Sequence, residues 1–162
     1  MKINIASNEV IHFIGIGGIG VSGLASIFLS KGFEVSGSDL SQSAVTDDLE
    51  KKGAKVFIGH NEKNLGNPDK VVYSPAIPET NPELKKARDL GIKCLSYPEA
   101  LGELTKDYFT IAVAGTHGKS STASMIAQIL IKAGFDPTFV IGTKPGSRVG
   151  KSKYLVIEAD EY

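Results

Sequence analysis

The 162-residue sequence predicts an α/β protein: a mostly parallel sheet with helices on both faces, followed by a shorter, incomplete α/β segment built on a phosphate loop. Three observations carry that prediction. Short apolar runs alternate with helical patterns from Val10 to Leu104, and such alternation builds a parallel sheet covered by helices. A glycine-rich turn, Gly15-Ile16-Gly17-Gly18-Ile19-Gly20, follows the first run at once. A second loop, Ala114-Gly115-Thr116-His117-Gly118-Lys119-Ser120-Ser121, sits between a later strand and a helix.

The first strand is Val10 to Ile14. After the turn, Leu24, Ile27, Phe28 and Leu29 keep helical spacing until Lys31-Gly32 closes the helix with a glycine C-cap. Glu34 to Ser38 forms the next strand, which ends at Asp39. Strand, glycine turn, helix, strand and acid make the opening unit of a Rossmann-like nucleotide-binding sheet. The first two glycines of the pattern allow a tight turn and close approach to a diphosphate, the last lets helix and strand pack, and Asp39 falls near the distance at which an acid meets a ribose. A nucleotide is favoured over a purely structural turn; the turn leaves open which one.

Further along, Asp47 to Lys52 reads as helix, Ala54 to Ile58 and Lys70 to Tyr73 as strands, Pro82 to Leu90 as helix, Ile92 to Leu95 as strand and Pro98 to Leu104 as helix. Ligands of such sheets collect at the carboxyl ends of the strands, which here supply Gly59-His60 and Ser74-Pro75-Ala76-Ile77-Pro78. By itself His60 reads more as a solvated loop residue than as a ligand contact, and Ser74 is equally ambiguous. The single cysteine, Cys94, lies in an apolar run and reads as a buried structural thiol. The charged clusters Asp47 to Lys52 and Lys85 to Arg88 read as solvated helix faces. A polar patch at Thr105 to Asp107 divides a first domain, residues 1–107, from a second, residues 108–162.

The second domain opens with the strand Tyr108 to Val113. In the pattern G-x-x-x-x-G-K-[ST], lysine reaches the β- and γ-phosphates and the hydroxyl binds Mg²⁺. Here Val113 stands in place of the first glycine, so the loop is shorter and starts at Gly115. Met125, Ile126, Ile129 and Leu130 are spaced to put one helix face into a core. Thr138 to Ile141 follows as a strand, then a loop from Gly142 to Ser152, then Tyr154 to Ile157 running into Glu158-Ala159-Asp160-Glu161. Carboxylates at the end of a buried strand are costly unless a cation meets them. So short a segment is too small for a core of its own, and the chain reads as the front part of a longer enzyme.

Composition narrows the partners. Eighteen Lys and Arg balance eighteen Asp and Glu, so no overall charge steers the chain to nucleic acid or to a membrane surface, and any anion site must be local. No apolar run approaches the ~20 residues that span a bilayer, and the N-terminus has no signal-peptide pattern. The expected compartment is the cytoplasm.

With both loops in hand, the sequence resembles the ATP-dependent Mur ligase family of peptidoglycan synthesis. The resemblance rests on IHFIGIGGIGVSGLA (Ile11 to Ala25), GSD (Gly37 to Asp39), FIGH (Phe57 to His60), YSPAIP (Tyr73 to Pro78), NPEL (Asn81 to Leu84), AVAGTHGKSSTASM (Ala112 to Met125) and IEADE (Ile157 to Glu161). GTHGK resembles the branch that ligates UDP-N-acetylmuramate, and GIGGIG the members that add L-alanine to it; EADEY also resembles the recycling members that add a murein tripeptide. Ser120 and Ser121 stand where the family usually has Thr, and the loop from Gly142 to Ser152 is shorter than usual.

The resemblance implies a three-part enzyme with UDP-sugar, ATP and amino-acid domains, of which the last is missing here. It implies that Gly15, Gly17, Gly18, Ile19, Gly20 and Ser22 take the diphosphate, that Asp39, Leu40 and His60 lie near uridine, and that Ser74 and Ala76 lie near the sugar phosphate. Gly115, Thr116, His117, Gly118, Lys119, Ser120 and Ser121 would bind ATP. Lys119 would neutralise phosphate charge and His117 would face the reacting carboxylate. Ser120 and Glu158 would hold Mg²⁺, with Glu161 a second choice. UDP-N-acetylmuramate, ATP and L-alanine are the implied partners, and self-association stays open. Two competing readings remain: a nicotinamide-linked oxidoreductase, which leaves the second loop without a purpose, and a non-catalytic UDP-sugar-binding module.

Overall fold

A computed structural model describes residues 9–143 and 146–159, and the chain divides into two compact units between Ala100 and Leu101. The first unit runs β1 (Val10–Ile14), α1 (Ile19–Ser30), β2 (Glu34–Asp39), α2 (Ala44–Lys51), β3 (Lys55–Ile58), a single 3₁₀ turn (Glu62–Asn64), β4 (Lys70–Tyr73), α3 (Pro82–Asp89) and β5 (Lys93–Ser96). Its five strands pair in the order β3-β2-β1-β4-β5, all parallel. The chain moves from β1 outward through β2 to β3, then crosses to β4 and moves the other way. Right-handed crossovers therefore put α1 and α2 on one face and α3 on the other. The turn after β1 lies where the strand order reverses, the place at which open α/β sheets bind ligands.

β1 is central and covered on both faces, so its side chains are buried in succession rather than alternately: Ile11, Phe13 and Ile14 are inaccessible, and so is His12. Leu24 and Ile27 of α1 and Leu84 of α3 close on the sheet from either side. Each such side chain contributes about 1.5–3 kcal/mol by leaving water. α2 begins at Ala44, earlier than its charge pattern predicts, because Ser43 and Thr46 cap each other's backbone amides. Cys94 is half-buried, and burial pushes its thiol up, in keeping with a structural role.

α4 (Tyr97–Thr105) carries the chain past the division. The second unit continues with β6 (Phe109–Val113), α5 (Lys119–Lys132), β7 (Thr138–Val140), β8 (Ser147–Arg148) and β9 (Tyr154–Glu158). Strand order is β6-β9-β7-β8, with β6, β9 and β7 parallel and β8 antiparallel to β7. Part of the expected loop Gly142 to Ser152 is thus a short edge strand, tied down where the Lys151 amide donates to Asp136 Oδ2 at 2.9 Å.

The face that α5 buries keeps Ile126 and Leu130 of the four residues its periodicity predicts and leaves out Met125 and Ile129. Ala123 and Ala127, with Ile126 and Leu130 beside them, pack on Phe139, Ile141 and Val156, whereas Met125 is 58% and Ile129 65% exposed. A helix turns ~100° per residue, which sets Met125 and Ile129 on the side away from the two alanines. Small Ala123 and Ala127 let the helix axis come close to β9, and that approach selects the stripe.

Candidate functional site

The glycine turn of the first unit is built by its own hydrogen bonds. The amides of Gly15 and Ile16 both donate to the Ser38 carbonyl (2.8 and 3.0 Å), that of Gly18 to the Gly15 carbonyl (3.2 Å), and that of Gly17 to Asp39 Oδ2 (2.8 Å). Gly15 has φ +80°, and a Cβ there would stand 3.0 Å from that of Ser74. At Gly17 a Cβ would lie 2.9 Å from Asp39 Oδ2, so the missing side chain is what admits the carboxylate. Asp39 braces the turn with one oxygen, in addition to any ribose contact. Among the described residues the amides of Ile19, Gly20 and Val21 donate to no protein acceptor. They form the first turn of α1, which has no side-chain cap and no acidic residue, so the positive end of the helix is open to an anion.

Around that opening the fold gathers most of the expected residues. Ser74 adjoins Gly15, and its Oγ accepts from the amide of exposed Ala76 (3.3 Å). Ser22 donates its hydroxyl proton back to the Ile19 carbonyl (3.0 Å), leaving only lone pairs for a ligand. Leu40 and Ile19 are exposed apolar side chains just past β2 and at the start of α1. His60 is not a solvated loop residue: its ring is only 12% exposed and its Nδ1 lies 2.9 Å from Ser38 Oγ.

Behind His60 stands a buried network that no local sequence pattern announces. Glu83, at the start of α3, is fully buried, and its carboxylate meets His12 Nε2 (2.8 Å), Ser38 Oγ (2.8 Å), the Asn61 amide (2.9 Å) and Asn64 Nδ2 (3.1 Å). Asn81 caps the helix by accepting from the amides of Glu83 and Leu84 (2.9 and 3.1 Å). Burial pushes the Glu83 carboxyl up, but hydrogen bonds from His12 and Ser38, the His12 charge and the Asn61 amide outweigh it, so its pKa lies below the ordinary value. The available signal was an isolated histidine in an apolar strand, since a buried polar group of that kind needs a partner.

The loop of the second unit is arranged differently. Gly115 and Gly118 take φ +145° and +75°, and Gly118 is the N-cap of α5, which has neither a side-chain cap nor an acidic first turn. Among the described residues the amides of Gly115, Thr116, His117 and Gly118 donate to no protein acceptor. Thr116, His117, Gly118 and Ser121 are exposed, and Ser120 is half-buried. Lys119 bends back over the loop, its Nζ 2.8 Å from the Gly115 carbonyl.

β9 lies beside β6 with Glu158 opposite Val113, and the Ala159 amide donates to the Val113 carbonyl at 3.0 Å. The Glu158 carboxylate thus stands beside the strand end from which the loop leaves. Its Oε1 is the buried side-chain oxygen without a hydrogen bond among the described residues. Gly142 borders the same carboxylate, where a Cβ would lie 3.2 Å from Oε2. An unpaired buried carboxylate oxygen suits a hard cation. No cluster of three or more His, Cys, Asp or Glu side chains that could cage a metal occurs among the described residues. Glu158 could hold such a cation with the remaining ligands drawn from bound phosphates and water, the way Mg²⁺ is usually held. Asp160, Glu161 and Tyr162 lie outside the described residues. No helix among the described residues is long and apolar enough to cross a membrane.

A family model described as "Mur ligase family, catalytic domain" matches residues 10–109. A UDP-N-acetylmuramate–L-alanine ligase of Acetivibrio thermocellus is 51% identical over 158 residues, which is 94% of this chain and 34% of that protein. Among solved structures, the UDP-N-acetylmuramate-alanine ligase of Thermotoga maritima superposes with a TM-score of 0.83 at 33% identity, over 91% of this chain and 36% of its own. The UDP-N-acetylmuramate:L-alanyl-gamma-D-glutamyl-meso-diaminopimelate ligase of Neisseria meningitides gives 0.86 at 35% identity, over 95% and 53%. The chain spans about a third of the length of the curated relatives it matches.

Proposed function

The chain belongs to the Mur ligase family, and from that premise we propose that it supplies the nucleotide-binding parts of a cytoplasmic ligase that uses ATP and Mg²⁺ to join L-alanine to UDP-N-acetylmuramate for peptidoglycan synthesis. The observation that carries the ATP half is the Glu158 oxygen without a hydrogen bond beside a loop whose amides from Gly115 to Gly118 meet no protein acceptor among the described residues. A nicotinamide enzyme would have no use for that arrangement. The L-alanine branch is supported by curated relatives of that name at 45–51% identity.

In this reading residues 1–107 hold the UDP-sugar and residues 108–162 begin the ATP domain. The lactyl carboxylate attacks the γ-phosphorus, the bond to the bridging oxygen of ADP breaks, and an acyl phosphate forms. The amine of L-alanine then attacks the acyl carbon, expelling phosphate and losing a proton. Such phosphoryl transfer depends mainly on positioning and charge neutralisation. Amides from Gly115 to Ser121 cradle the phosphates, and Lys119 leaves the Gly115 carbonyl to meet the β- and γ-oxygens. His117, exposed on the loop, faces the incoming carboxylate; Ser120 and Glu158 would hold Mg²⁺, which would supply positive charge to the phosphate oxygens. In the first unit the diphosphate caps α1 at the amides of Ile19 to Val21, with Gly15, Gly17 and Gly18 shaping the turn and Ser22 behind it. Asp39, Leu40 and His60 flank uridine, and Ser74 and Ala76 flank the sugar phosphate.

In the full-length ligase, Lys119→Ala is expected to lower acyl-phosphate formation by ~10³-fold or more while UDP-N-acetylmuramate still binds. Unchanged turnover removes Lys119 from the chemistry. The murein-peptide reading is supported by the EADEY resemblance and by the 0.86 TM-score of the Neisseria enzyme. Phosphate release with L-alanine but not with the tripeptide decides for the alanine branch, and the reverse decides against it.

A further inference from the structure

We infer that Glu83 is a positioning residue for the nucleotide: acting through Ser38, it fixes His60 as the Nδ1–H tautomer, so that the neutral ring offers Nε2 to an N–H or O–H donor of the ligand. The inference rests on the UDP-sugar reading of the first unit. It follows from counting protons. An ionised carboxylate only accepts, so the hydroxyl proton of Ser38 goes to Glu83 Oε2 at 2.8 Å. Ser38 has one proton to give. At its 2.9 Å contact with His60 Nδ1 the hydroxyl oxygen must accept, and the imidazole must carry the proton on Nδ1. Glu83 Oε1, 3.5 Å from the same nitrogen, favours that proton as well.

Nε2 is then the lone-pair nitrogen, and it makes no hydrogen bond among the described residues. A neutral ring so placed repels phosphate oxygens, which are themselves acceptors. It suits the donors of a uridine, the imide N–H of the base or a ribose hydroxyl. The relay is rigid because each Glu83 oxygen is shared between two donors and together they tie three elements: His12 of β1 and Ser38 of β2 on one oxygen, Asn61 and Asn64 of the 3₁₀ segment on the other.

Glu83→Gln tests the inference, because it reverses the proton order at nearly unchanged shape. The Asn61 and Asn64 donors keep the amide oxygen on their side, so the amide NH₂ faces Ser38 and His12 and donates one hydrogen to each, His12 Nε2 now accepting while its Nδ1–H meets Ser36 Oγ. Ser38 then donates to His60 Nδ1 and drives the ring to the Nε2–H tautomer. Long-range ¹H–¹⁵N spectra of the ligand-free chain, at a pH where the ring is neutral, are expected to show Nδ1–H in the parent and Nε2–H in the variant. UDP affinity is expected to fall about tenfold, and Glu83→Gln with His60→Ala to bind no more weakly than His60→Ala alone. With the parent chain, N3-methyl-UDP and 2′-deoxy-UDP show which donor meets Nε2: that analogue binds more weakly, and His60→Ala erases the difference.

A parent ring in the Nε2–H form, losses that add in the double variant, or neither analogue discriminated overturns the inference. If Glu83→Gln does not fold, Ser38→Ala breaks the relay while leaving His12, Asn61 and Asn64 on Glu83. It is expected to weaken the tautomer preference, which then rests on the 3.5 Å contact with Glu83 Oε1 alone, and to lower UDP affinity; parent-like spectra and binding refute the relay. A parent chain that binds no UDP overturns the nucleotide reading of this unit, while the ligand-free spectra judge the role of Glu83 separately.

Discussion

The two phosphate loops resemble each other in sequence and differ in how they are completed. In the turn after β1 the amides of Gly15 to Gly18 are all engaged, with Ser38, Asp39 and Gly15 as acceptors. In the loop after β6 the amides of Gly115 to Gly118 have no protein acceptor among the described residues, and Glu158 Oε1 has no donor. One loop is shaped in advance by the sheet and offers only the first turn of α1. The other keeps its own donors and its carboxylate for charges that come from outside. Glycine has a different use in each: at Gly17 it admits an acid, and at Gly118 it takes a left-handed φ of +75° so that the loop can turn into α5.

The largest expected effect sharpens that contrast by removing the support of the first loop. Glu83→Ala leaves His12, Ser38 and the Asn61 amide without their buried partner and is expected to destabilise the first unit by about 3–5 kcal/mol, read by denaturant unfolding and by hydrogen exchange in β1 and β2. Acid attacks the same point. The folded pKa of Glu83 lies below its ordinary value near 4.5, so its contribution is complete above that pH and is lost as pH falls through the lower, folded value. Protection of β1 and β2 amides should decline in that acidic window in the parent chain, and the decline should be shallower in Glu83→Ala.

Gly37→Ala comes next, since its Cβ would lie 2.6 Å from the Phe13 carbonyl oxygen and from Ile16 Cδ1. A loss of about 1–3 kcal/mol confined to the first unit is expected, with exchange in β6 and β9 unchanged. Glu158→Gln should act in the opposite sense. Without ligand it removes the charge from a carboxylate whose buried Oε1 has no hydrogen bond among the described residues, and raises the stability of the second unit by up to about 1 kcal/mol, while the stabilisation that MgATP gives the parent disappears. A ligand-free loss instead would mean that the carboxylate is already satisfied, and the contrast between the loops would fail. The smallest effect is that of Gly118→Ala, about 1 kcal/mol from the strained φ, visible as faster exchange in the first turns of α5.

Much of this could be read from the chain. Residues near one another in sequence determined the runs β1, β4, β6 and β9, the glycine turn with its helix, and the second loop with Lys119, because strand alternation, helix periodicity and glycine turns are local physics. Asp39 and Glu158 stood out for the same reason, as acids at strand ends. The rest was decided by contacts between distant residues. The donors that hold Glu83 come from 19 to 71 positions away, and nothing in the NPEL segment announces which of them a buried carboxylate will meet. The pairing of β9 against β6, ahead of β7, places Glu158 at the loop, and strand order is not encoded in a strand's own residues. Likewise the periodicity of α5 singled out a stripe that includes Met125 and Ile129, and only the close approach of Ala123 and Ala127 to β9 turned those two outward. Local sequence sets what each segment can be. Which groups satisfy a buried charge, and which face of a helix is covered, depend on packing that exists only once the sheet has formed.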